Sequence, residues 1–274
     1  MTVHYYTQSW NDAEMLGFMF RHYDPIVDRY FVYDDGSTDG TIEMLKAHPK
    51  VDLRSVPPGD PNSRTLSSVR FFDEVWRQSR GIADWVIVAD IDEHLYHPDL
   101  ERYLAVCRER AVTLIPALGY QMLSAQFPQP PDLLLCAHLT RGAPWRQMSK
   151  LGFFAPDRIE AVNYSTGRHR CAPTGEVRLP PRDELLLLHY KYMDFERTQR
   201  RHEQFGPRSR ALDIANGWGK KYFWSREQLA ESWSGFERAA IDIADPAIDH
   251  HRFHSEPRWW RDLPRVPGDE ASSS

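Results

Sequence analysis

The stretch "DWVIVADIDEHLYHPDL", residues 84–100, decides how the rest of the chain is read. An apolar run from Trp85 to Ala89 breaks off into Asp90, Asp92, Glu93 and His94. An uninterrupted apolar run of this kind is the pattern of a strand covered on both faces. In a doubly wound sheet, ligands bind outside the carboxyl ends of the strands. The acids therefore stand where a ligand would be met. Asp90 and Asp92 flank a single residue, so in extended chain they point to the same side. Two carboxylates placed like that repel unless a proton or a cation comes between them. A hard divalent ion, Mg²⁺ or Mn²⁺, takes oxygen ligands and completes its shell with substrate phosphates and water. The spacing predicts a metal–diphosphate site. Asp also serves at turns and caps, but Pro98-Asp99 can start the following helix without help from Asp90 or Asp92.

Outward from this stretch, short apolar runs alternate with amphipathic ones over residues 1–115, the pattern of βαβ units. Strands are expected at 3–7, 29–33, 51–56 and 84–89, and helices at 12–23, at "TIEMLKAH" and at 64–81, the last closed by Gly81. A second acid pair, Asp34-Asp35, follows the strand "RYFVY" and opens the turn "DDGSTDG". Ser37, Thr38 or Asp39 can cap the next helix, leaving Asp35 free for a base or ribose.

From about residue 112 the pattern shifts. Two strands are expected within "VTLIPALGYQMLSAQFP", a loop-rich stretch in "QPPDLLLCAHLTRGAPW", and a hairpin in "SKLGFFAPDRIEAVNY" turning at Pro156-Asp157. A buried strand in "DELLLLHYKY" and a charged helix over 194–205 with a solvated face follow, then helices around "WGKKYFW" and "WSGFERAA". The expected organisation is one α/β domain over 1–262, with a nucleotide-sugar half at 1–115 and an acceptor half at 116–262. Residues 263–274, polar and rich in Pro and Gly, are expected to be a disordered tail. Trp145, Trp218 and Trp224 could stack on a sugar, but large aromatics are usually core.

Formal charge is −5 over 274 residues, with acids and bases interleaved. This excludes a broad basic face for nucleic acid and leaves small anionic ligands open. Cys107, Cys136 and Cys171 are far apart and form no CxxC pair, so neither a zinc site nor a disulfide framework is indicated. There is no signal-peptide pattern and no run of about 18 apolar residues able to span a bilayer, so the expected location is the cytoplasm.

Taken together, "TQSWNDAEML", "FVYDDGSTDGT", "DWVIVADIDEHL" and the later "LLLLHYKYMDFERTQRR" resemble glycosyltransferase family 2, in the branch whose acid motif reads D-x-D-E. The resemblance runs in order from about residue 3 to residue 205. It implies a GT-A fold, an α/β/α sandwich around a mostly parallel sheet. It further implies a nucleotide-sugar donor, a UDP-sugar ahead of a GDP-sugar, and Mn²⁺ or Mg²⁺ between the acids and the diphosphate. Carried over position by position, Thr7 and Asp35 look like donor-nucleotide contacts. Asp90 would stand beside the ribose, Asp92 and His189 would hold the metal, and Lys150 would lie near the phosphates. Arg64 or Arg70 would contact base or phosphate, and spacing does not choose between them. The implied reaction is inverting transfer to the hydroxyl of a glycan or small-molecule acceptor, with a carboxylate as base. Glu93 and Glu176 are the candidates for that base, Glu93 preferred.

Other readings compete. A nucleotidyltransferase would want a Gly-rich, basic loop after the first strand, and "TQSWNDAEM" has neither glycine nor base. A phosphatase with a D-x-D nucleophile would want its Asp there, where this chain has Thr7-Gln8. A non-catalytic sugar-binding protein with a degenerate site is the alternative from a different class. His169, in "GRHR", can face an acceptor or simply sit in a basic loop, while His94 and His97 have no assignable role.

Overall fold

A computed structural model describes residues 1–268. The chain opens with strand β1 (Val3–Ser9), helix α1 (Ala13–Tyr23), β2 (Arg29–Asp34), α2 (Thr41–Ala47), β3 (Val51–Ser55), α3 (Arg64–Glu74) and β4 (Trp85–Val88). β3, β2, β1 and β4 pair in parallel in that order. The chain thus runs outward from β1 to β3 and returns to the other side of β1 for β4. Between β1 and β4 the order reverses, which opens a crevice at their carboxyl ends. The period of α1 buries Met15, Leu16, Phe18, Met19 and Tyr23 against this sheet. α3 begins at Ser63, whose Oγ accepts from Leu66 N at 3.0 Å, and gives way to a 3₁₀ turn over Val75–Ser79.

β5 (Glu93–Tyr96), α4 (Leu100–Glu109), β6 (Leu114–Pro116), β7 (Leu118–Ser124), a short α5 (Leu135–His138), β8 (Arg141–Pro144), β9 (Leu151–Phe154), β10 (Ile159–Ala161), β11 (Thr174–Gly175) and β12 (Leu186–Met193) follow. β9 and β6 extend the first sheet as antiparallel strands beyond β4. After β12 come α6 (Phe195–Phe205), α7 (Ala211–Ala215), α8 (Arg226–Ala239), β13 (Ile241–Asp242) and α9 (His250–Phe253). A second sheet has the order β13-β8-β7-β12-β5. β5 pairs antiparallel with β12, placing Glu93 opposite His189. The acid stretch is thus the crossover between sheets: β4 ends the first, Asp90–Asp92 turns, and β5 enters the second. One apolar core runs from Val3 to Val266 through both.

The expected mixed α/β architecture with a mostly parallel sheet is present, and several local expectations change. β5 was not foreseen, because a strand of four residues beginning at a buried glutamate carries little apolar pattern. The hairpin expected around Pro156-Asp157 is not one. β9 pairs with β4 and β6, whereas β10 pairs with β11. Asp157 instead accepts from Gly81 N at 2.7 Å, where φ of +70° suits only glycine well. The stretch expected to be loop-rich contains α5 and β8. Residues 263–268 are tied in, contrary to the expected tail. Leu179 N donates to Pro264 O at 2.8 Å and Val266 N to Leu179 O at 2.9 Å. Arg265 reaches the buried Asp183 at 2.7 Å. Residues 269–274 of that expectation lie outside the described residues.

Candidate active site

The crevice widens into a cavity of about 1050 Å³ whose walls come from the carboxyl ends of β1 and β4, the start of α3, β12, α6 and residues 205–224. Asp92 and His189 meet on its floor, Asp92 Oδ2 lying 3.5 Å from His189 Nε2. Backbone pairing fixes them, since Tyr190 N donates to Asp92 O at 2.8 Å. Gln121, buried on β7, sets the imidazole. Its Nε2 donates to the carbonyls of Met122 and His189, both at 3.0 Å, so its Oε1 must accept from His189 Nδ1 at 2.8 Å. The imidazole therefore presents Nε2 to Asp92: protonated, it donates to the carboxylate, and neutral, its lone pair there is the one that suits a metal ligand. Burial would push the Asp92 carboxyl up, but the facing imidazole and, farther off, Lys191 and Lys150 hold it well below the usual carboxylate range.

Asp90 is the most open of the three acids, 47 % exposed against 30 % for Asp92 and 1 % for Glu93. Burial would raise its carboxyl, but Arg168 at 2.5 Å and, after it, Lys150 together outweigh burial and hold it below the usual range. Arg168 lies in a tight turn, Thr166–Arg168, with φ of +69° at Gly167 and +56° at Arg168. A non-glycine residue in that region is costly. The pair with Asp90 and the stacking of the guanidinium 4.4 Å above the Phe72 ring hold it there.

Glu93 does not face solvent. Its Oε1 accepts from Lys150 at 2.5 Å and its Oε2 from Asp90 N at 3.2 Å. It supports the acid turn, and Lys150 is engaged with it while still lining the cavity. Glu176 sits away from the cavity, just beyond β11, where it pairs with Arg158 and Arg178. Neither expected base therefore stands free at the site.

At the other end, Asp35 receives Arg64 and Arg208, each at 2.5 Å. The Arg208 guanidinium lies 3.7 Å over the Trp10 ring. Asp213, from α7, takes Ser63 Oγ at 2.6 Å and Arg64 N at 2.9 Å, so the later segment caps the helix that carries Arg64. Arg70 points outward, 70 % exposed and 3.6 Å from Asp60, so of the two arginines it is Arg64 that lines the cavity. Thr7 is fully buried and its Oγ1 donates to Gln8 O at 3.2 Å. Gln8 and Ser9, not Thr7, line the cavity.

The helix 194–205 is not simply a solvated face. Arg201 pairs with Asp12 at 2.5 Å and Arg197 with Glu14 at 2.7 Å, and both line the cavity. Burial pushes the Asp12 carboxyl up to about 6, with Arg201 pulling the other way. Trp145, Trp218 and Trp224 line the cavity as well and are not sealed in the core. Lys191 and Lys221 stand over one aromatic ring, their ammonium groups 4.8 and 5.9 Å from the centre of Tyr222. Burial and mutual repulsion depress Lys191 well below its ordinary range. His169 is pushed down to about 3, first by burial and then by Lys150 and Lys221. His94 stacks on His22 at 4.5 Å and His97 on Tyr103 at 4.4 Å, so both are packing residues.

No protein-family model and no curated protein matches the sequence. Among solved structures, TarS of S. aureus aligns with 57 % of this chain and 28 % of its own, at 15 % identity and a TM-score of 0.33. Its fragment 1–349 in complex with UDP-GlcNAc aligns over 47 % of this chain and 37 % of its own, at 18 % identity and a TM-score of 0.31. Glucosyl-3-phosphoglycerate synthase from Mycobacterium tuberculosis, in complex with Mn²⁺, UDP and glucosyl-3-phosphoglycerate, aligns over 43 % of this chain and 44 % of its own. Identity there is 21 % and the TM-score 0.28. This chain thus matches less than half the length of each. No helix among the described residues is long and apolar enough to cross a membrane.

Sequence reasoning missed Gln121, Arg168, Lys191, Arg208 and Lys221. Two carried a readable signal. Gln121 is the lone polar side chain within "LGYQML", and Lys191 is two residues from His189, hence on the same face of an extended strand. Arg208 and Lys221 reach the site only through tertiary folding.

Proposed function

We propose that this protein is a glycosyltransferase of GT-A type that moves a sugar from a nucleoside diphosphate donor, a UDP-sugar ahead of a GDP-sugar, to an acceptor hydroxyl. The observation that carries this reading is the convergence of Asp92 and the Gln121-oriented His189 on the floor of the cavity, with Asp90 beside them.

The residues fit a divalent ion. Among the described residues, no cluster of three or more Asp, Glu, His or Cys is placed to hold a metal by itself. A two-residue site is what Mg²⁺ or Mn²⁺ uses when substrate phosphates and water complete the shell. Neighbouring ligand atoms in such a shell stand about 3 Å apart, so the 3.5 Å between Asp92 and His189 needs little closure. The ion would act as a Lewis acid on the departing diphosphate.

The chain's own groups do the rest. Asp35, Arg64 and Arg208 form a polar slot for the base, with Trp10 as its wall. Lys191 and Lys221 stand where negative charge develops on the departing diphosphate, whose approach favours the protonated forms that burial and mutual repulsion otherwise disfavour. Asp90 is the ionised carboxylate an acceptor hydroxyl can reach, while Glu93 and Lys150 lock the turn that bears it. In this reading transfer is inverting, the acceptor attacking from the side opposite the diphosphate.

The test is thermal shift with UDP and Mn²⁺, then hydrolysis of a panel of UDP- and GDP-sugars. A metal-dependent rise in Tm that disappears in Asp92→Asn is expected. A rise that persists unchanged in that variant sinks the assignment.

A further inference from the structure

We propose that the acceptor is itself an anion, and that its phosphate or carboxylate docks in a recess between Arg146 and Arg170. This deepens the transferase reading and rests on it for the identity of the second substrate. The recess encloses about 240 Å³ and is lined by Arg146, Ser149, His169, Arg170, Arg258 and Trp259 among others. It adjoins the main cavity, since Gln147, His169 and Arg170 face both spaces.

The charges in this recess are unbalanced. Arg258 is already committed, at 2.5 Å from Asp183 and 3.1 Å from Glu256. Arg146 meets only the backbone carbonyl of Glu256, at 3.4 Å. Arg170 is fixed through its backbone, N donating to Ser165 Oγ at 3.0 Å. Neither guanidinium is ion-paired with a described residue. A lone surface arginine would mean little. Two exposed guanidiniums lining one recess beside an indole, neither with an acidic partner among the described residues, together offer the donors that a phosphate or carboxylate takes.

A donor with a neutral sugar cannot supply that anion: its charge is confined to the diphosphate, which in this reading belongs beside Asp92 under Lys191 and Lys221. Arg146 lines the recess alone and Arg170 lines both the recess and the main cavity, so an anion held between them comes with the other substrate. The turn that carries Arg168 onto Asp90 places Arg170 two residues later in the recess. A small acceptor can therefore hold its charged group there and still present a hydroxyl to Asp90.

Inorganic phosphate probes the recess directly. The indole NMR signal of Trp259, assigned with Trp259→Phe, is expected to shift saturably as phosphate is added. Affinity should fall at least fivefold in the double variant Arg146→Gln/Arg170→Gln. No saturable shift, or one the double variant leaves intact, overturns the proposal. Transfer is then measured to matched acceptors, glycerol against glycerol phosphate and glucose against glucuronate. The charged member should have a KM at least tenfold lower, and the double variant should erase the difference. Donor hydrolysis without acceptor reports on the transferase reading separately. Hydrolysis with no preference for charged acceptors overturns this proposal alone. Absence of both hydrolysis and nucleotide binding sinks the transferase reading and leaves the phosphate titration to decide the recess.

Discussion

Glu93 and Lys150, 57 positions apart in sequence, form an ion pair at 2.5 Å with 1 % and 6 % of their side chains exposed. Removing one partner of a buried pair leaves a charge with no solvent, at a cost of about 3–5 kcal/mol. Lys150→Met should lower Tm by about 10 °C at about 2–4 °C per kcal/mol. Glu93→Gln combined with Lys150→Met should recover a substantial part of that loss, because no charge is stranded. Equal losses in the single and double variants would show that the pair is not what holds the acid turn.

Gln121 touches no cavity acid, yet it fixes the imidazole that faces one. Gln121→Leu is expected to weaken Mn²⁺ binding about 10- to 100-fold, the usual effect of losing a partner behind a ligand. Titration of Mn²⁺ followed by its electron-spin resonance signal measures this directly. Unchanged affinity would detach Gln121 from the site.

The two arginines on Asp35 give a prediction about the nucleotide. Arg208→Ala removes one charged partner of that slot and should raise Kd for UDP roughly tenfold, a loss of about 1.4 kcal/mol. Arg70→Ala, an exposed residue pointing away, should leave Kd unaltered. Calorimetry on both variants decides between them.

Asp12 predicts a pH dependence of stability. Its folded carboxyl titrates at about 6, above the ordinary value of 3.8. A raised carboxyl adds stability that is complete below the unfolded value and lost as pH rises through the folded one. The shift of about 2 units corresponds to about 3 kcal/mol. The stability of wild type relative to Asp12→Asn should therefore decline from pH 4 to pH 6 and level off above it. Chemical denaturation at several pH values checks this, and a flat difference would refute the assignment.

Glu176 provides a negative prediction. It is salt-bridged beyond β11 and does not line the cavity, so Glu176→Gln should leave donor hydrolysis within twofold of wild type. Asp90→Asn should abolish transfer to acceptor.

What was legible in the sequence followed from local physics. The apolar run before Asp90 announces a covered strand, and the parallel sheet β3-β2-β1-β4 appears where alternating patterns placed it. Asp92 and His189 were brought together by the family resemblance rather than by their own pattern, since a histidine after four leucines reads first as a core residue; the structure sets them 3.5 Å apart. Glu93 was misread as a base because its environment depends on β5 pairing with β12 and on Lys150 arriving from just before β9. Thr7 and Gln8 differ by one position on a strand, and sequence alone does not say which face meets the ligand. Arg208 sits outside every periodic segment, so no pattern could link it to Asp35.

The proposed base slot joins Trp10 and Asp35, near the start of the chain, to Arg208 and Asp213. The four parallel strands lie within the first ninety or so residues, whereas the slot waits for more than a hundred others. At synthesis rates of about 5–20 residues per second, nucleotide competence would trail the synthesis of those strands by on the order of ten seconds. A nascent chain would pass this interval with its ligand groove still open on one side.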